Sequence, residues 1–196
     1  MECAHARRLP HVRATEPERF LEGVRVVLFG RNRADRLRRA LDALAGASRR
    51  GAEIVYVDGG SRDRSADVAR RHPAGARAAA DLASAAFGGS EPRFVACASL
   101  RCDVDWRCLD AMARNAARSS GGALHAARLV GPDGATIEDG PVALAGEAAQ
   151  DRALPAVWLA RAGDARAALE GRFEGPIRRR VDATALLVEP AAAERR

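Results

Sequence analysis

Three short apolar blocks, separated by amphipathic stretches, set the pattern of the first half of the chain. Residues 24–29 form a nearly continuous apolar run rich in β-branched side chains, and residues 53–57 and 93–98 form two more. Runs of this length and composition are typical of strands that are buried on both faces of a parallel sheet. The pattern therefore predicts three central strands.

The stretches between these runs have helical spacing. In residues 33–46 the apolar side chains of Leu37, Ala40, Leu41 and Leu44 recur on one face, and arginines fill the opposite face. Further helices are predicted after residue 61, over residues 74–86 and over residues 106–119. Strands are predicted over 123–130 and 181–188, with a hairpin over 128–142 that turns at a Gly-Pro-Asp-Gly sequence, whereas residues 146–175 have no clear pattern.

This alternation of strands and helices predicts an α/β fold with a mostly parallel sheet, whose ligands bind at the carboxyl ends of the strands. We divide the 196 residues into a flexible N-terminal segment (1–22), one domain (23–190) and a tail (191–196). No apolar run approaches the ~18 residues of a membrane span. The N-terminus also lacks the apolar stretch of a secretory signal, so we expect a soluble cytoplasmic protein without a membrane span.

Arginine supplies all of the positive side-chain charge of the chain at neutral pH. The net charge is +6, and all 32 basic residues are arginine. One interpretation is a compositional bias that leaves solvated arginines on the surface; the other is an anionic partner such as a phosphate or a nucleotide. Acids are interleaved with the arginines, and aromatic residues make up only 4% of the chain, which disfavours nucleic acid as a partner.

The cysteines do not have the spacing of a metal site. Cys97, Cys102 and Cys108 are too widely spaced for the close pairs of structural zinc sites, and the nearest histidine, His125, lies outside the cluster. We expect buried, reduced thiols.

Three segments of the chain carry motifs that occur together in one known family of enzymes. Residues 26–37 resemble the opening strand and loop of the family, with Asn32 and Arg33 kept. Residues 54–66 resemble the strand and loop that receive the nucleotide base, and residues 128–134 resemble the hairpin after the metal-binding segment. Together the three segments resemble glycosyltransferase family 2, the nucleotide-sugar enzymes of the GT-A fold. They occur in the family's order and cover most of residues 24–142.

The resemblance implies a Rossmann-like GT-A domain that binds a UDP-, GDP- or TDP-sugar. The nucleotide-binding residues that it implies are Gly30, Asn32, Asp58 and Gly59, and we add Arg101 because of its charge. An aspartate at a strand end can accept a hydrogen bond from a uracil-like imide or from ribose, and glycine permits close approach. The alternative for Asp58 is a turn or helix-capping aspartate, and Asn32 in the alternative only closes a turn.

The family's metal motif is altered here. Its Asp-x-Asp pair holds Mg²⁺ or Mn²⁺, but the corresponding positions are Ser99 and Arg101. A local shift would bring in Asp103 and Asp105 as metal ligands; in the alternative they are exposed acids before a helix. A further hypothesis is that Arg101 neutralises the diphosphate directly.

Two other family features are missing from the sequence. Almost no chain separates residues 71 and 74, where the family has a short strand, and the family's catalytic base has no counterpart after residues 181–188. Asp182 or Glu189 would have to replace it, so no catalytic residue is assigned.

Two functions are consistent with these observations on the sequence. The first is a glycosyltransferase that binds a nucleotide sugar and transfers the sugar to an unknown acceptor. The second is a catalytically inactive homologue that acts, with protein partners, as a binding or scaffold subunit in a biosynthetic complex.

Overall fold

The structure is a computed structural model and describes residues 20–137 and 154–187. In the described residues, strands and helices alternate through most of the chain. They are β1 (Val24–Gly30), α1 (Ala34–Ser48), β2 (Glu53–Asp58), α2 (Ser65–Arg71), β3 (Arg77–Ala79), α3 (Leu82–Phe87), β4 (Phe94–Ser99), β5 (Cys102–Asp103), α4 (Trp106–Arg118), β6 (Leu124–Val130), β7 (Thr136–Ile137), β8 (Val157–Arg161), α5 (Ala162–Leu169) and β9 (Ile177–Leu187).

All strands belong to one mixed sheet in the order β3-β2-β1-β4-β8-β6-β9-β5, with β7 paired to β6. The first four strands of this order are parallel to one another. Strand β8 lies antiparallel between β4 and β6, and β9 is parallel to β6. The prediction of an α/β fold with parallel central strands is confirmed.

The helices cover both faces of the sheet because side chains alternate between the two faces along each strand. Val26 and Leu28 of β1 pack with the apolar stripes of α1 and α4, which include Leu41 and Met112. Val27, from the other face of β1, belongs to a second cluster with residues of α3, α5 and β8. This burial on both faces explains the continuous apolar runs of the central strands.

Helices α1 and α4 meet at a glycine. A Cβ atom added to Gly46 would lie 2.5 Å from Cδ1 of Trp106, so only glycine lets the indole ring approach the helix this closely. The guanidinium of Arg50 stacks 3.8 Å from the centroid of the same ring. No helix within residues 20–137 and 154–187 is long and apolar enough to cross a membrane.

Two parts of the sequence-based prediction need correction. Residues 74–86 do not form one helix, because residues 77–79 are strand β3, which pairs in parallel with β2, and helix α3 begins only at Leu82. The alanine content of this segment favours a helix, but pairing with β2 overrides that propensity. The unassigned stretch contains β8 and α5. Residues 1–19 of the predicted N-terminal segment, residues 138–142 of the predicted hairpin, the end of the predicted last strand at residue 188 and the predicted tail (191–196) lie outside the described residues.

Candidate functional site

The carboxyl ends of β1, β2 and β4 lie side by side at one edge of the sheet. Gly30 is paired with Asp58, and Phe29 is paired with Ser99. The loops that leave these strands contain Asn32, Gly59 and Arg101, so the fold brings all five predicted nucleotide-binding residues to the same edge. Ligands of parallel α/β sheets bind at this position.

Asp58 presents a carboxylate that is held through one oxygen. Its Oδ1 accepts the N–H of Ser61 at 2.9 Å and lies 3.4 Å from the hydroxyl of Tyr56. That hydroxyl also lies 3.1 Å from the carbonyl oxygen of Gly30. Among residues 20–137 and 154–187, no group donates a hydrogen bond to Oδ2 of Asp58. The carboxylate is thus oriented, and one of its oxygens remains available to a ligand.

Tyr56 contributes a buried hydroxyl group to this arrangement. Its side chain is fully buried, and its hydroxyl reaches both the end of β1 and the Asp58 carboxylate. Burial is the largest cause that raises the pKa of Tyr56, because the phenolate would lose its hydration. The phenol therefore stays protonated and acts as a hydrogen-bond donor at neutral pH.

Asn32 links the loop after β1 to the loop after β2. Its backbone φ is +52°, a left-handed conformation that asparagine tolerates better than most residues. Its N–H donates to Oγ of Ser61 at 2.8 Å, and its Oδ1 accepts the N–H of Arg62 at 2.7 Å. Asn32 therefore does more than close its own turn, because it fixes the two loops to each other.

A second link between these loops was not predicted. Oδ2 of Asp63 accepts the N–H of Ala34 at 2.9 Å, and its Oδ1 accepts the N–H of Ser65 at 3.0 Å. Oγ of Ser65 in turn accepts the N–H of Arg33 at 3.2 Å. The hydrogen bond from the Ser65 side chain is the largest cause that lowers the pKa of Asp63. A sequence pattern cannot reveal a contact between residues so far apart in the chain.

Glycine allows the three loops to approach one another. The N–H of Gly59 donates to the carbonyl of Gly30 at 3.1 Å. A Cβ on Gly30 would lie 2.9 Å from Cδ1 of Leu100, and a Cβ on Gly59 would lie 3.3 Å from Cβ of Arg31. The Leu100 side chain thereby covers the end of β1 and brings Arg101, the next residue, to the edge of the sheet.

The predicted metal ligands have other partners. Asp105 caps α4, where its Oδ1 accepts the N–H of Cys108 at 2.9 Å, and Asp103 lies 3.7 Å from Nη1 of Arg36. At the end of β4, Arg101 donates its N–H to Oγ of Ser99 at 3.3 Å.

In the part of the chain that the structure describes, no group of three or more acids, histidines or cysteines could hold a metal ion. A hard divalent cation needs several oxygen ligands. The carboxylate of Asp103 lies beside an arginine and that of Asp105 caps a helix, and the Mg²⁺ or Mn²⁺ site at these two residues stays a prediction.

The cysteines agree with the expectation of buried thiols. Cys97, Cys102 and Cys108 are all reduced and buried. Burial raises the pKa of Cys108 to about 12 and that of Cys97 further still. Neither thiol is a nucleophile at neutral pH.

One alternative for the catalytic base has a structural partner. Oδ2 of Asp182, in β9, accepts a hydrogen bond from Nδ2 of Asn115 in α4 at 2.9 Å. This contact joins the helix to the sheet. The other alternative, Glu189, lies outside the described residues.

Comparisons with known proteins identify the fold. No family model matches the sequence, and no curated protein does either. Solved structures match over most of the chain. The mannosyltransferase PcManGT from Pyrobaculum calidifontis, in complex with GDP-Man and Mn²⁺, has a TM-score of 0.53 over 87% of this chain at 14% identity. The fold is that of the GT-A glycosyltransferases.

Two further GT-A structures agree with this assignment. TarS from S. aureus has a TM-score of 0.52 over 73% of this chain at 13% identity. Mannosyl-3-phosphoglycerate synthase from Rubrobacter xylanophilus has a TM-score of 0.53 over 86% at 15% identity. The matched regions cover 29% of TarS, 58% of PcManGT and 68% of the synthase, so this GT-A chain spans less than two thirds of the first two. The resemblance found in the sequence is confirmed as a likeness of fold.

Proposed function

We propose that this GT-A protein binds a nucleotide-sugar donor, a UDP-, GDP- or TDP-sugar, at the carboxyl ends of β1, β2 and β4. The observation that carries the proposal is the Asp58 carboxylate, which is oriented through Oδ1 and offers Oδ2 to a ligand. Gly30, Gly59 and Asn32 shape the surface around it, and Arg101 lies in the turn that follows β4.

The chemistry of Asp58 suits a nucleoside. A carboxylate oxygen accepts a hydrogen bond from a base imide or from a ribose hydroxyl, and such charge-assisted bonds are about twice as strong as neutral ones. The contacts with Ser61 and Tyr56 hold the carboxylate before any ligand binds, which reduces the entropy lost on binding. Two neighbours support this choice of ligand, since TarS has been crystallised with UDP-GlcNAc and PcManGT with GDP-Man.

Calorimetric titration with UDP, GDP and TDP tests the proposal. We expect one of the three to bind, and we expect Asp58→Asn to weaken its binding by about tenfold, the equivalent of one charge-assisted hydrogen bond. The matched control is Asp67→Asn, which removes an exposed carboxylate paired with Arg70 on α2. Equal affinity in wild type and Asp58→Asn would overturn the role of Asp58, and failure of all three nucleotides to bind would overturn the proposal.

A second candidate function is a nucleotide-binding subunit without transferase activity. Two observations favour it: Asp182, an alternative for the catalytic base, is hydrogen-bonded to Asn115, and Asp103, a predicted metal ligand, pairs with Arg36. Release of nucleoside diphosphate from each donor separates the candidates. Release that is lost in Asp58→Asn supports the transferase, whereas tight donor binding without release, in the presence of candidate acceptors, supports the binding subunit.

A further inference from the structure

We infer that this site binds the diphosphate of its nucleotide through arginine side chains, without a divalent cation. The inference rests on the proposed nucleotide site and concerns what neutralises the phosphates there. Two sets of observations carry it: the partners of the acids near β4, and the placement of arginines on the three loops of the site.

The acids near β4, Asp103 and Asp105, do not form a set of oxygen ligands for a cation. Ser99, a buried residue, stands at the end of the strand, where a carboxylate would be needed. The Asp105 carboxylate is used by the first turn of α4, and Asp103 lies beside the positive charge of Arg36. A cation that bound here would have to displace a helix cap and approach a guanidinium, which costs free energy on both counts.

Arginines stand on each of the three loops that form the edge. Arg31 follows β1, Arg62 follows β2 and Arg101 follows β4. Cβ of Arg31 adjoins Gly59, so the side chain begins next to the Asp58 loop. Within residues 20–137 and 154–187, the guanidinium groups of Arg31 and Arg62 make no hydrogen bond or ion pair.

Arginine can replace a cation at a diphosphate. A guanidinium group carries a permanent positive charge, and its fork of N–H donors matches two phosphate oxygens. Arg101 follows Leu100, whose N–H donates to the carbonyl oxygen of Phe29 in β1 at 3.0 Å. This places its backbone two residues after the end of β4, the position from which the fold's cation site would be built. We therefore assign Arg101 the main contact with the diphosphate and Arg31 a supporting one.

The test compares nucleoside diphosphates with the corresponding nucleosides, each titrated in EDTA and in Mn²⁺. We expect the best of UDP, GDP and TDP to bind equally well in both buffers and more tightly than its nucleoside. We expect Arg101→Gln to weaken diphosphate binding by about tenfold and to leave nucleoside binding unchanged, because the lost contact is to phosphate. Arg31→Gln should weaken diphosphate binding less than Arg101→Gln does.

The control variant is Arg49→Gln. It removes an exposed arginine at the end of α1, close to the start of β2 and therefore at the opposite edge of the sheet, and should bind like the wild type. Unfolding curves establish that each variant is folded; if Arg101→Gln is not, Arg31→Gln alone serves as the test. Binding that requires Mn²⁺ overturns the inference and leaves the nucleotide site standing. Unchanged diphosphate binding in the folded Arg101→Gln and Arg31→Gln variants likewise overturns the inference and leaves the nucleotide site standing. Failure of every nucleotide and nucleoside to bind overturns the proposed function itself, and the inference with it.

Discussion

The Asp63 carboxylate caps helix α1 by accepting the N–H of Ala34 at 2.9 Å, although the two residues are 29 positions apart. The residue before the helix, Arg33, has no side-chain oxygen that could accept this N–H. The loop after β2 therefore supplies the cap for the helix after β1. Because Ser61 and Asn32 join the same two loops, the start of α1 and the proposed base-binding loop form one structural unit.

We expect Asp63→Ala to destabilise the protein by about 1–2 kcal/mol, the usual loss when a helix cap is removed. Chemical denaturation measures this change. The matched control is Asp35→Ala in the first turn of the same helix, where the acid interacts favourably with the helix dipole, and it should cost less than about 1 kcal/mol. Equal losses in the two variants would show that the cap contributes nothing beyond charge.

The contribution of Asp63 to the free energy of unfolding should depend on pH. Hydrogen bonds from Ser65 and Ala34 lower the pKa of Asp63 in the folded state, so the stabilisation is present above the unfolded pKa of about 3.9 and is lost as the pH falls through the lower folded value. The difference in unfolding free energy between wild type and Asp63→Ala should therefore shrink below about pH 4. A difference that stays constant down to about pH 2 would contradict this prediction.

Tyr56 is the single tyrosine of the chain, so its ionisation can be followed by absorbance of the tyrosinate. Burial raises its pKa, and we expect the folded protein to titrate above the ordinary value of about 10. The same protein in concentrated guanidinium chloride is the control and should titrate near that value. Because only the unfolded state releases the proton easily, stability should fall as the pH rises above about 10. Identical titrations in the two solvents would show that the hydroxyl is hydrated.

The contact between Gly46 and Trp106 predicts an unusual result for a helix. Glycine to alanine normally stabilises a helix by up to about 1 kcal/mol, but a Cβ at Gly46 would overlap the indole ring. Overpacking of this kind costs about 1–3 kcal/mol, so Gly46→Ala should be destabilising. Gly163→Ala in α5 is the control, because no atom lies within 4 Å of its added Cβ, and it should be neutral or stabilising. Thermal unfolding of both variants gives the comparison.

The elements that the sequence predicted well are those whose burial follows a simple period. Strands β1, β2 and β4 are buried on both faces, and helices α1 and α4 bury one face, so their apolar positions define them. Strand β3 was missed because its residues are mostly exposed and alanine-rich, and only pairing with β2 makes it a strand. Strand β8 is five residues long and gave no signal within its stretch of chain.

The position of the site was predictable, but its internal contacts were not. Asp58 and Gly30 lie at strand ends, and parallel strands bring their ends together, so their proximity follows from the sequence pattern. The bonds from Asn32 to the neighbouring loop and the capping role of Asp63 depend on the exact conformations of two loops. The partner of Asp103 likewise depends on how α1 packs beside β5.

The antiparallel strand β8 has a consequence for synthesis of the chain. β8 lies between β4 and β6, and Ala96 of β4 pairs with Leu159, which leaves the ribosome much later. The parallel unit of β1 to β4 can assemble first, but one edge of β4, a fully buried strand in the finished protein, stays open until β8 arrives. An open apolar edge pairs readily with other chains. The nascent protein is therefore most vulnerable to aggregation while residues between β4 and β8 are being made.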